Sequence, residues 1–207
     1  PHGHMAIGTT VFPTSIGLAS TWDKALITEV GRTIARELRA QGGHIGYGPV
    51  IDLAREPRWS RVEETYGEDT YLTSQMAAAM VRGTSPKHNG WDKGVISTLK
   101  HFVAYGIPEG GHNGNPSNVG ERDLHENFLP AFKTAVEEGA LSVMTSYNSI
   151  DGVPSTGNPE LLRKVLKEDW GFEGFVVSDL VSIDGLFSDH HVAKDKEDAG
   201  IMAMNAG

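Results

Sequence analysis

Short apolar runs alternate with helix-period segments along this chain, and that alternation restricts its fold more than any other property. The apolar runs lie at 44–52, 94–102, 140–147 and 175–177, and helical patterns fill 23–39, 69–82, 123–138 and 193–204. A further helix is expected after Asn158, as its cap, with Pro159 in the first turn and Gly171 as the stop. A strand–helix repeat of this kind builds a parallel sheet with right-handed crossovers. Roughly five or six such units fit here, whereas a complete eight-unit barrel takes about 250 residues. The expected fold is therefore α/β: a TIM-like (β/α)8 barrel, incomplete in this stretch, forming a single domain over 1–207. One or two barrel strands are expected to lie outside it. No linker splits the chain.

The first helix shows Leu26, Val30, Ile34 and Leu38 at four-residue spacing, read as its buried face. Ser20 followed by Asp23 is read as its capping box, and Gly42-Gly43 as its end. Leu72, Met76, Met80 and the neighbouring alanines mark the buried stripe of the second helix. Leu124, Phe128, Leu129, Phe132 and Val136 mark that of the third. The polar stretch from Gly106 to Gly120 is a long loop, of a length usually tied to function or mobility.

Composition removes several function classes. The formal net charge of -9, with no run of Lys or Arg, leaves no track for a nucleic-acid backbone. No apolar segment approaches the roughly 20 residues of a membrane span. Without cysteine there is no disulfide, thiolate nucleophile or Cys-type zinc site. His2 and His4, and His190 with His191, lack a third ligand at metal-site spacing and read as surface or loop histidines. The Glu63-Glu64 pair reads as a solvated face, and Trp59 as a packing residue in a loop.

What remains is a set of polar residues placed where apolar runs stop. Phe175-Val176-Val177 reads as a fully buried strand that runs into Ser178 and Asp179. Arg58 and Arg61 follow 50–52, Lys100 and His101 close 94–102, and Tyr147 closes 140–147. In parallel α/β folds the C-terminal edge of the sheet is where chemistry is done, and all these positions face that edge. Asp179 has two readings, an N-cap of the next segment or a reacting carboxylate. Lys100 is either a surface lysine or, with His101, part of a polar pocket. Neighbouring cations would keep Asp179 ionised, which suits a nucleophile rather than an acid.

Gly48-Pro-Val-Ile-Asp-Leu-Ala-Arg-Glu-Pro-Arg-Trp-Ser-Arg-Val-Glu-Glu-Thr-Tyr-Gly-Glu-Asp69, Lys100-His-Phe102, Met144-Thr-Ser-Tyr-Asn148 and Gly174-Phe-Val-Val-Ser-Asp179 occur in this order. Together they resemble glycoside hydrolase family 3, most closely its β-glucosidase branch, over nearly the whole chain. The N-acetylglucosaminidase branch fits poorly, because Lys100-His-Phe-Val-Ala-Tyr-Gly106 lacks that branch's Gly-His loop. The resemblance implies a TIM-like barrel domain of a retaining, exo-acting β-glycosidase that removes terminal non-reducing β-linked glucose from a small or oligomeric β-glucoside. It makes Asp179 the nucleophile, Arg61, Lys100 and His101 the holders of sugar hydroxyls, and Met144 and Tyr147 pocket residues. Arg58 becomes a supporting residue, and Tyr147 a neighbour that orients Asp179.

The same resemblance implies no cofactor and no metal. It also implies a C-terminal α/β domain of the same protein, not contained in these residues, that supplies the acid/base carboxylate, so that the 207 residues alone show little activity. A further sugar-binding aspartate is expected just ahead of His2-Gly3. Location is expected to be periplasmic or secreted. Leu180 stands where family members very often carry Trp, which leaves aglycone preference open. Two alternatives stand beside this reading, a β-xylosidase of the same family and a catalytically inactive sugar-binding barrel.

Overall fold

The computed structural model describes residues 2–207. In chain order its strands are β1 (Ile45–Gly46), β2 (Ile96–Phe102), β3 (Ser142–Thr145), β4 (Ser149–Ile150), β5 (Val153–Pro154) and β6 (Phe175–Val177). The helices are α1 (Ser15–Ala19), α2 (Lys24–Ala40), α3 (Thr70–Thr84), α4 (Pro86–Asn89), α5 (Glu121–Asp123), α6 (Leu129–Glu138), α7 (Ser182–Ser188) and α8 (Lys196–Ala206). Two π-wound stretches, Leu124–Phe128 and Glu160–Asp169, lie before α6 and before β6.

Four strands form one parallel sheet in the order β1-β2-β3-β6. Thr98 faces Ser142, Val143 faces Val176 and Met144 faces Val177, and the β2–β3 register shifts between Leu99 and Phe102. β4 and β5 make a small antiparallel hairpin beyond β3. The sheet does not close, and it holds fewer strands than the five or six units expected.

Within 44–52, Gly48-Pro49 cuts the strand short, because Pro has no N–H for the ladder. The chain rejoins β2 one step later. Val50 bridges Lys100, and the Ile51 N–H donates to the Lys100 carbonyl at 2.8 Å. That rejoining sets Asp52 alongside His101.

The central core joins Leu99, Phe102 and Val143 from the sheet to Ile27 and Val30 of α2, Met76, Met80 and Val81 of α3, and Phe132 of α6. The buried face of α2 differs from the expected one. Leu26 is 43% exposed, while Ile27 is fully buried. Four-residue spacing turns a helix by about 400°, so a stripe through 26, 30, 34 and 38 drifts off any single face. The observed face runs through Ile27, Val30, Gly31, Ala35 and Leu38.

The capping box also gives way. Asp23 is itself the N-cap and accepts from the Ala25 and Leu26 N–H groups, while the Ser20 hydroxyl donates to the Gly17 carbonyl. Asn158 does cap its helix, accepting from the Glu160 N–H at 3.0 Å. Gly171 ends that helix at φ 64.

β6 departs from the fully buried strand expected of it, for Phe175 is 41% exposed. Among the described residues it pairs on one side only, with β3, and an edge strand has no neighbour to cover its far flank. The loop from Gly106 to Gly120 is pinned rather than free. Ser117 is buried, its hydroxyl donates to the Ala104 carbonyl, and its N–H donates to the Ser149 carbonyl.

Helices α2 and α3 approach through Gly31 and Gly83. A methyl group at Gly83 would meet the Thr28 carbonyl oxygen at 2.3 Å and the Arg32 nitrogen at 2.9 Å. Neither backbone atom can move alone. Gly83→Ala is expected to lower stability by about 1–3 kcal/mol, read as a lower urea midpoint at unchanged slope.

Candidate active site

The site grows from the C-terminal ends of adjacent parallel strands. His101 lies in β2, Tyr147 follows β3, and Asp179 follows β6. Because the strands run the same way, these side chains arrive at one edge although they are far apart in sequence.

His101 is the centre of the group, and it is 1% exposed. Its Nδ1 lies 2.8 Å from Asp52 Oδ2, and its backbone N–H donates to Asp52 Oδ1 at 3.1 Å. Its Nε2 lies 3.2 Å from Arg61 Nη2 and 3.5 Å from Asp179 Oδ2. Asp179 keeps 15% of its side chain exposed, so the carboxylate is reachable from outside. Its Oδ1 accepts the Leu180 N–H at 2.7 Å. That bond gives Asp179 part of a turn-capping role, while Oδ2 lies toward His101.

Arg61 is held on three sides. Its Nε and Nη2 donate to the two oxygens of Glu64 at 2.7 and 2.8 Å, a forked pair. Its Nη1 lies 3.4 Å from the Tyr105 hydroxyl, and its Cζ sits 5.4 Å from the Tyr105 ring centre. Burial pushes the Glu64 carboxyl up, but the Arg61 fork outweighs it and holds the group below the usual carboxylate range. Burial alone would lower the Arg61 guanidinium, and Glu64 and Tyr105 raise it instead.

Lys100 is partly buried. Burial, then the Arg61 charge, lowers its ammonium from the ordinary value, against the pull of Glu64, Asp179 and Asp52. It also lines a small cavity of about 270 Å³ with His2, Thr14, Ser15, Glu63 and Glu64. Tyr105 is fully buried and packs edge-on against His101 at 4.8 Å and Trp59 at 5.1 Å, with Tyr147 at 6.0 Å. Trp59 is buried too, and its Nε1–H donates to Asn113 of the pinned loop at 2.9 Å.

A carboxylate at a sheet edge, flanked by a guanidinium, an ammonium and an imidazole, can attack an electron-poor carbon. The flanking donors suit hydroxyl-rich ligands. The sequence comparisons agree with that chemistry. A model of the glycosyl hydrolase family 3 N-terminal domain matches residues 1–207. The chain belongs to glycosyl hydrolase family 3.

Among its relatives, a periplasmic β-glucosidase of Salmonella typhimurium is 40% identical over 198 residues, 96% of this chain and 26% of that protein. A β-xylosidase of Formosa agariphila is also 40% identical, over 96% of this chain and 28% of that protein. A β-glucosidase structure from Erythrobacter marinus superposes with a TM-score of 0.95 at 37% identity, covering all of this chain and 28% of that one. The chain thus spans about a quarter of the length of these family 3 relatives. Its open sheet is the corresponding arc of the family's TIM-like barrel.

Of the residues singled out from sequence, Arg61, His101 and Asp179 meet directly, and Lys100 joins them through charge. Tyr147 reaches the same edge, where its hydroxyl donates to the Leu180 carbonyl at 3.0 Å and lies beside the Asp179 carboxylate. Its main-chain carbonyl is 2.9 Å from His190 Nε2, which gives that histidine a structural job. Met144 lies buried in β3, one strand from Asp179, with no polar link to the group. Arg58 does not support the site: its side chain is 69% exposed and pairs with Glu56.

Sequence reading missed Asp52, Glu64 and Tyr105. Glu64 had been placed on a solvated face, yet its side chain is 27% exposed and grips Arg61. The Arg61–Glu64 spacing, three residues apart in a turn, was the available signal. Asp52, ending an apolar run just before the bridge to β2, carried another.

Burial, then the Asp179 charge, pushes the Tyr147 hydroxyl up to about 12. A phenolate beside a carboxylate is disfavoured, so Asp179→Asn is expected to bring the Tyr147 value down. Ultraviolet titration of the phenolate, differenced against Tyr147→Phe, reads this directly; an unchanged value would mean that the two groups do not interact.

Proposed function

We propose that the protein to which these residues belong is a retaining, exo-acting β-glycosidase that releases terminal non-reducing β-linked glucose, with Asp179 as its nucleophile. The carrying observation is the placement of the Asp179 carboxylate, accessible at the sheet edge and 3.5 Å from His101 Nε2. Crystal structures of a β-glucosidase from Listeria innocua in complex with glucose and with laminaribiose, 35% identical to this chain, support a saccharide ligand.

Asp179 attacks the anomeric carbon as the bond to the leaving oxygen breaks. An acid protonates that oxygen, and a glycosyl ester forms on Asp179. The same acid, now a base, takes a proton from water, which attacks the anomeric carbon and returns Asp179. Arg61, Lys100 and His101 hold the sugar hydroxyls and favour the flattened, oxocarbenium-like ring. Met144 and Tyr147 wall the pocket.

A retaining pair needs its second carboxyl about 5–5.5 Å from the first. Asp52 and Glu64 are poor choices, since one is committed to His101 and the other to Arg61. As the family resemblance implies, we assign the acid to a C-terminal α/β domain of the same protein. A periplasmic or secreted location accords with the Salmonella relative's name.

In the intact protein Asp179→Asn should lower kcat on an aryl β-glucoside by at least about a thousand-fold. Asp179→Gly with added azide should regain turnover and give the azide of inverted anomeric configuration. Full activity in Asp179→Asn would remove the nucleophile assignment.

The β-xylosidases among the relatives favour one second reading, a xyloside substrate. The ratio of kcat/KM for aryl β-glucoside and aryl β-xyloside separates the two. A glucoside preference of tenfold or more is expected, and the reverse would reassign the substrate.

A further inference from the structure

Asp52 is the most deeply buried carboxylate of the site, with a side chain that is 0% exposed, and it lies too far inside to meet a sugar. Both of its oxygens serve His101, one the backbone N–H at 3.1 Å and the other Nδ1 at 2.8 Å. On the opposite side of the same ring, Nε2 stands 3.2 Å from Arg61 Nη2. A guanidinium nitrogen can only donate, so Nε2 must accept. The ring proton is then on Nδ1, where Asp52 Oδ2 accepts it at 2.8 Å. The two contacts assign the same tautomer independently.

We infer that Asp52 is a positioning residue that locks His101 as the Nδ1–H tautomer and thereby keeps its Nε2 from donating a hydrogen bond to the nucleophilic oxygen of Asp179. The inference rests on the β-glycosidase reading given above. With a lone pair on Nε2, the 3.5 Å approach to Asp179 Oδ2 sets acceptor against acceptor. Oδ2 keeps its electron pair for the anomeric carbon, while the single Nε2 lone pair is engaged by the Arg61 N–H. The other tautomer would reverse both effects. An Nε2–H would donate to Oδ2 and blunt it, and it would face the Arg61 N–H donor to donor. Burial of Asp52 makes the lock stiff, because no water competes for its oxygens. Glu64 does the equivalent for the other side of the contact, holding the Arg61 fork so that Nη2 stays on Nε2.

The test uses the intact protein with 15N-labelled histidine, the His101 signals being identified by their loss in His101→Gln. The native ring is expected to show an unprotonated Nε2 and a protonated Nδ1. Asp52→Asn presents an amide that can donate to Nδ1, and it should move the proton to Nε2. On an aryl β-glucoside, Asp52→Asn should lower kcat about a hundred-fold in the native background. It should change kcat less than threefold when His101 is already Phe, since its effect runs through that ring.

A native ring protonated at Nε2 overturns the proposal, and so does an equal loss from Asp52→Asn in both backgrounds. If Asp52→Asn does not fold, the native spectrum alone decides. Turnover that survives Asp179→Asn would defeat the nucleophile assignment while leaving the tautomer result standing, so the two failures are distinguishable.

Discussion

The contact between Asp52 and His101 depends on a feature of the backbone that lies outside both residues. After Gly48-Pro49 breaks the first strand, the chain returns to β2 at Val50 and Ile51, bonded to Lys100. That parallel register carries Asp52 to the level of His101, beneath the rim and away from water. Once His101 is oriented, Arg61 and Asp179 have a fixed partner to meet. A shift of one residue in that return would turn Asp52 to the opposite face of the sheet and leave the imidazole free to rotate.

Around this contact the charges are arranged as alternating layers. Asp52 lies beneath His101, and His101 lies beneath Arg61 and Asp179. Glu64 closes the outer side of Arg61, and Lys100 stands within reach of all three carboxylates. Arg61 and Glu64 are each other's opposite neighbour, which is the condition for keeping such a half-buried pair ionised away from bulk water. The aromatic wall of Trp59, Tyr105 and Tyr147 fills the remaining space and limits how far Arg61 can swing.

Much of this was legible in the residues. The apolar runs that end in Lys100-His101, Tyr147 and Asp179 point to one sheet edge from sequence alone. The helices at α3 and α6 follow their apolar stripes, and Asn158 and Gly171 bound their helix as turn chemistry requires. Other features were hidden. Ile27 displaces Leu26 from the core because a helical face is chosen by what packs against it, here α3 through Gly31 and Gly83. Glu64 looked like half of an exposed acidic pair because only the three-dimensional turn brings Arg61 back over it. Arg58 looked equivalent to Arg61, yet it faces solvent and Glu56.

By itself the sequence determined the class of fold, the family and the polar residues that stop each strand, because these depend on local pattern and on motif order. Only the tertiary structure decided which of those polar groups touch. Asp52 and His101 are separated by 49 residues and join through strand register. His101 and Asp179 join across β3, which neither of them belongs to. Contacts of that kind have no short-range signature, since they are set by the spacing and direction of parallel strands rather than by the residues that make them.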